Sequence, residues 1–251
     1  MIRQCSVFYD NDKPDYCIIT IPGRGNDGTQ FARLYQMEAE FNNTVFVGPT
    51  PHGFAWYPLP TSATDQDRAL AGLPRARDAI NAVVDAVQRR FSIPKSKIVL
   101  AGFSAGGVMA IETAAHSNEP FAAVVCHSGA ILEPKNLPEC KHPKMPVILT
   151  HCKDDDCFEW FERYVPMKEA LFLNGYDTYA LESRKGNHRI LDEAFAETVF
   201  YLAQNVIPQP KKWFKKYRQF KPLLEHVDDI DIDDREINYL SSTEIDERFL
   251  H

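Results

Sequence analysis

The stretch KIVLAGFSAGGVMAIETAA, residues 97–115, constrains this chain more than any other. A β-branched apolar run at 98–100 leads into Gly102-Phe103-Ser104-Ala105-Gly106-Gly107, and a small-residue helical pattern follows without a break. The pattern predicts a strand, a sharp turn and a helix, with the serine on the turn. There the serine must take a strained backbone conformation that lifts its hydroxyl above the sheet edge. Glycines at 102 and 106 then let strand and helix approach without Cβ clashes. A helix starting at Ala105 aims free N–H groups and the positive end of its dipole at any negative charge that develops there. Ser104 is therefore expected to act as a nucleophile.

The rest of the chain repeats the same alternation. Apolar runs at 17–21, 45–47, 98–101, 122–126, 147–150 and 178–181 are expected strands. Helical periods lie at 75–91, 105–116, 165–174 and 190–205. Continuous apolar strands separated by helices imply an α/β domain, a mostly parallel central sheet with helices on both faces. Ligands on such sheets bind beyond the carboxyl ends of the strands. The expected domain is 1–207. Residues 208–251 are read as a charged C-terminal appendage, basic in PQPKKWFKKYRQFK and acidic in EHVDDIDIDDREINYL. It is expected to be a solvated or docked extension, or a tail that contacts a protein partner or a second copy.

Composition narrows the function classes. The 251 residues suffice for one α/β domain, and a net charge of −7 disfavours a nucleic-acid partner. No stretch reaches the roughly 20 apolar residues of a transmembrane helix, and the N-terminus lacks the apolar core of a signal peptide. Six scattered cysteines, Cys17 and Cys126 within apolar runs, suit reduced thiols in a cytoplasmic protein.

A serine hydroxyl needs a base, and the base needs an orienting acid. With an elbow of this type the chain order is serine, acid, histidine. After the run at 147–150 come Asp154, Asp155 and Asp156, any of which could be the acid. His188 follows the run at 178–181, after a glycine turn and just before a helix, and is the expected base. His116 sits at a helix end, His142 in a proline-flanked loop, and His226 and His251 in the tail, while His127 and His151 precede the acids. Acyl transfer also needs donors aimed at a tetrahedral oxygen. Pro22-Gly23-Arg24-Gly25-Asn26 ends the first apolar run, so the backbone N–H groups of Arg24 and Ala105 are the expected oxyanion hole.

Over residues 15–207 these pieces resemble, in order, the phospholipase/carboxylesterase family of α/β-hydrolases, which includes enzymes like the acyl-protein thioesterases. The family's His-Gly-x-Gly-Asp segment corresponds to residues 22–26, and its Pro-Ser-Trp-Phe-like stretch to Phe54-Ala55-Trp56-Tyr57. Its Gly-Phe-Ser-Gln-Gly-Gly corresponds to residues 102–107, and its Leu-Ser-Gly to His127-Ser128-Gly129. Its His-Gly-x-x-Asp loop aligns with residues 151–155, which ranks Asp155 first among the three acids, and its last histidine is His188. Pro22, Asn26, Ala105 and Cys152 stand where the family has histidine, aspartate, glutamine and glycine. The resemblance implies the α/β-hydrolase fold and a serine esterase acting on a small acyl ester or thioester. Trp56 and Tyr57 would border the acyl pocket, and no cofactor or metal would be needed.

Two other classes compete. Cys140, His142, His151, Cys152 and Cys157 are zinc-ligand types close in sequence, though at no recognised zinc spacing. A catalytically silent hydrolase fold would serve as a binding module.

Overall fold

Buried apolar side chains alternate between two layers along each central strand, as the two-residue period of a strand requires. The molecule is seen in a computed structural model that describes residues 2–59, 63–217 and 222–228. The strands are β1 (Ile2–Phe8), β2 (Tyr16–Ile21), β3 (Thr44–Pro51), β4 (Ile98–Phe103), β5 (Ala123–His127), β6 (Pro146–Cys152), β7 (Asp177–Ser183) and β8 (Glu225–His226). They form one sheet in the order β1-β3-β2-β4-β5-β6-β7-β8. The six strands β3-β2-β4-β5-β6-β7 run parallel, and only the edges β1 and β8 pair antiparallel.

Cys17, Ile19, Leu100, Val124 and Leu149 face a cluster completed by helices α2 (Ala63–Phe91), α3 (Ala105–Ala115) and α4 (Val165–Leu173). Ile18, Val99, Val125 and Ile148 face a second cluster, under α1 (Gly28–Ala39) and α5 (Asp192–Asn205). Because both faces are covered, the strands carry apolar residues at consecutive positions, which is the pattern visible in the sequence. Among the described residues, no helix is long and apolar enough to cross a membrane.

Each expected strand and helix forms, with shifted ends. The largest shift is in α2, expected from residue 75 but beginning at Ala63 and running through Pro74. A proline inside a helix removes a hydrogen bond and disfavours continuation. Here Ala69 and Leu73 bury on the same face as Ala76 and Ile80, and that packing carries the helix across. Among the described strands and α-helices, three escaped the periodicity: the edge strand β1, the helix α1 and the two-residue β8. The start of α1 did leave a signal, since Asp27 caps it by accepting the Thr29 N–H at 2.7 Å.

The described part of residues 208–251 packs on the domain. Trp213 is buried in the second cluster and donates its Nε1–H to the Ala39 carbonyl at 2.8 Å. Lys216 lies over the Trp213 ring and 3.5 Å from Glu40. Glu197 on α5 accepts the Leu223 N–H at 2.9 Å, and β8 then pairs with β7. Residues 218–221 and the acidic run from residue 229 onward lie outside the described residues.

Candidate active site

Ser104 occupies the turn between β4 and α3 with φ 55° and ψ −123°, a region an L-residue enters only under constraint. Two glycines make the turn possible. A Cβ on Gly102 would sit 2.1 Å from the Gly106 carbonyl oxygen, and one on Gly106 would sit 1.9 Å from that of Ile21. The Ser104 N–H donates to the His127 carbonyl at 2.9 Å, which pins the turn to β5. The hydroxyl is left partly exposed above the carboxyl end of the sheet.

Two further loops leave the same edge, after β6 and β7. His188, on the second, places Nε2 2.8 Å from Ser104 Oγ. Its Nδ1 faces both oxygens of Asp155, at 3.0 and 2.9 Å. The Phe103 and Phe158 rings lie 5.1 and 5.9 Å from the imidazole, centroid to centroid.

The three consecutive aspartates separate by direction. Asp155 turns inward, is buried, and its Oδ1 also accepts the N–H groups of Cys157 and Phe158 at 2.9 and 2.8 Å. Burial pushes its pKa up. The hydrogen bonds from His188 and those two amides outweigh that and hold it below the ordinary carboxylate value. Asp154 is exposed and accepts the Gly186 and Asn187 N–H groups, each at 2.8 Å, tying the acid loop to the loop of His188. This clamp was missed in the sequence, where the only trace of it was the repetition of aspartate. Asp156 is exposed, 3.4 Å from the Asn187 side-chain amide.

His127 and His151 are buried inside the protein. His127 bonds Thr150 and Tyr35 at 2.7 and 2.9 Å, and burial pushes its pKa down to about 3. His151 bonds the Phe158 carbonyl at 2.8 Å and stacks on Tyr164 at 4.5 Å between centroids. Burial lowers its pKa as well, against the pull of Asp155.

The loop after β2 lies beside the serine: a Cβ on Gly23 would be 3.2 Å from Ser104 Cβ. Residues 54–57 brace this loop from outside. The Gly25 N–H donates to the Phe54 carbonyl at 2.8 Å, Trp56 Nε1 donates to the Pro22 carbonyl at 2.9 Å, and the Arg24 guanidinium donates to the Tyr57 carbonyl. Trp56 and Tyr57 are both buried, and Trp56 also lines a cleft of about 560 Å³ with His52, Ala55 and Gly72. Ala105 is the first residue of α3, so its N–H has no acceptor within the helix.

The five zinc-ligand types of the 140–157 stretch are dispersed. The Cys140 N–H bonds the Asn174 carbonyl, His142 the Ser117 carbonyl and His151 the Phe158 carbonyl, while Cys152 is buried against Gly186. Among the described residues, the group within metal-ligand reach is Asp155, Cys157 and His188, with ligand atoms inside 4.8 Å of one another.

The phospholipase/carboxylesterase family model matches residues 3–204. The crystal structure of esterase PE8 is similar at 24% identity over 80% of this chain and 97% of its own, with a TM-score of 0.71. A phospholipase/carboxylesterase from Dyadobacter fermentans shares 16% identity over 78% of this chain and 96% of its own, TM-score 0.68. Acyl-protein thioesterase 2 of Zea mays shares 19% over 81% and 99%, TM-score 0.64. At these identities the likeness establishes the α/β-hydrolase fold. The family match, spanning most of the chain, goes further: this protein belongs to the phospholipase/carboxylesterase family of hydrolases.

Proposed function

We propose that the chain is a serine esterase that cleaves a small carboxylic ester or thioester through an acyl-enzyme on Ser104. The observation that carries this reading is the hydrogen-bonded run from Ser104 Oγ through His188 to Asp155, on a serine held at positive φ.

In the first half-reaction His188 Nε2 takes the Ser104 proton as Oγ attacks the acyl carbon. The Asp155 carboxylate holds the Nδ1–H, keeps the reactive tautomer and stabilises the imidazolium that forms. The tetrahedral oxyanion is received by the N–H groups of Ala105 and Arg24, the first of which also carries the positive end of the α3 dipole. His188 returns the proton to the departing alcohol or thiol. Water then repeats the sequence in reverse and releases the acid. The bonds from residues 54–57 to the 22–25 loop cost no reorganisation during the reaction, which is what an oxyanion site needs. Trp56 and Tyr57 are assigned to the border of the substrate as well as to this bracing.

The test is covalent. A fluorophosphonate probe should label Ser104, located by peptide mass spectrometry, and p-nitrophenyl butyrate should be hydrolysed. Ser104→Ala should abolish the label and lower kcat by about three orders of magnitude or more. An unlabelled, inactive wild type would leave the fold as a binding module.

A further inference from the structure

We propose that Asp155, Cys157 and His188 form an inhibitory site for a thiophilic divalent cation of the zinc type, which switches off the serine by capturing its base. The inference rests on the proposed function, since it concerns regulation of the same imidazole.

A carboxylate oxygen, a thiol sulfur and an imidazole nitrogen are the three donor classes that zinc takes in proteins, whereas calcium and magnesium require oxygen sets. Here one donor of each class lies within 4.8 Å of the other two. Ligands of a tetrahedral zinc stand about 3.5 Å apart, given bonds of about 2.0–2.3 Å. His188 Nδ1 and Asp155 are already closer than that, at 2.9–3.0 Å. The His188–Asp155 pair must open by about 0.5 Å, and the Cys157 side chain must swing inward; it is exposed, so a rotamer change costs little. A further carboxylate is at hand, as Asp156 Oδ1 lies 3.6 Å from Cys157 Sγ. Solvent reaches the His188 side of the site through an open cleft lined by Asp154, Asp156, Lys185, Asn187, His188 and Arg189. The sequence grouped Cys157 with four other ligand types. The fold brings it within ligand reach of two residues from the proposed triad instead.

The chemistry explains the inhibition. Zinc binding to Cys157 breaks the S–H bond, forms a zinc–sulfur bond and releases one proton to solvent. Zinc binding to His188 takes the Nδ1 lone pair, so the neutral ring carries its hydrogen on Nε2. That nitrogen then donates to Ser104 instead of accepting from it. No proton can leave the hydroxyl, and Asp155 is drawn to the metal.

The experiment titrates zinc into the esterase assay in a non-chelating buffer, each variant being compared with its own zinc-free rate. The expected result is reversible inhibition of the wild type, relieved by EDTA and not produced by calcium or magnesium. Cys157→Ser, which keeps the backbone N–H to Asp155, should raise the half-inhibitory zinc concentration about tenfold or more, the loss typical of a disturbed metal site. Cobalt(II) provides a readout independent of catalysis. Thiolate-to-cobalt absorption should appear in the wild type and in Ser104→Ala, and vanish in Cys157→Ser. Equal inhibition of the wild type and Cys157→Ser, or no thiolate absorption in the wild type and Ser104→Ala, overturns the site. A wild type with no esterase activity defeats the proposed function instead, and the cobalt spectra still decide whether the metal site exists.

Discussion

Asp154 Oδ1 accepts the backbone N–H of Asn187 at 2.8 Å, so the residue before the buried acid fixes the residue before the imidazole. Neighbouring carboxylates thus divide the work, one holding a loop and the other a side chain. Asp155→Asn should lower kcat by about 10³–10⁴ through loss of the imidazole tautomer. Asp154→Ala should lower it about tenfold by loosening the His188 loop. Asp156→Asn should leave it within about threefold, in line with the small effect of most exposed substitutions. Steady-state kinetics on the three variants check the order.

The conformation of Ser104 is strained for an L-residue, but it is the mirror image of an extended conformation and open to glycine. Ser104→Gly should therefore abolish esterase activity while raising stability by about 1 kcal/mol, the lower end of what such strain costs. Ser104→Ala keeps the Cβ and should show the first effect without the second. Urea unfolding of both variants distinguishes them.

Gly106→Ala and Gly25→Ala should differ sharply. The first forces a Cβ to 1.9 Å from a backbone oxygen, and should cost more than about 4 kcal/mol and abolish soluble expression. The second meets nothing within 4 Å and bears only the penalty of φ 79°, about 1 kcal/mol. Thermal melts and yields provide the comparison.

His127 sets an acid limit on stability. Its folded pKa, near 3, lies below the unfolded value near 6.5, so the unfolded chain binds the extra proton between these values. Stability should fall as pH drops through that window, by up to about 1.4 kcal/mol per unit from this residue. Asp155, held below the ordinary carboxylate value, adds its loss at still lower pH. His127→Gln should start less stable at pH 7 and show a flatter slope from pH 7 to 5 in denaturant titrations.

Glu197 has the opposite sign. Burial raises its pKa, against the pull of the Leu223 and Leu224 amides. The folded state therefore favours the neutral acid, and stability declines as pH rises through the folded pKa. Glu197→Gln retains an acceptor for Leu223 and should raise the melting temperature at pH 7–8, with the gain shrinking below about pH 4. Glu197→Leu leaves the Leu223 N–H unpaired and should expose residues 222–228 to proteolysis at every pH.

The elbow was legible because its physics is local. A strand, a residue at positive φ and a helix in direct succession require glycine at 102, where a Cβ would meet the Gly106 carbonyl. The glycine at 106, which the Ile21 carbonyl of β2 requires, sits in the same short motif. The doubly covered sheet was legible for a similar reason, since burial of both strand faces writes itself into consecutive apolar residues. What no local pattern contains is the path of a loop. That Asp155 turns inward while Asp154 and Asp156 turn out, and that Cys157 comes within ligand reach of His188, depends on where β6 and β7 end relative to each other. The two-residue β8 and the docked Trp213 likewise depend on acceptors supplied by Glu197 and Ala39, far away along the chain. Sequence periodicity reports how much of an element is buried, and only tertiary contact decides which particular atoms meet.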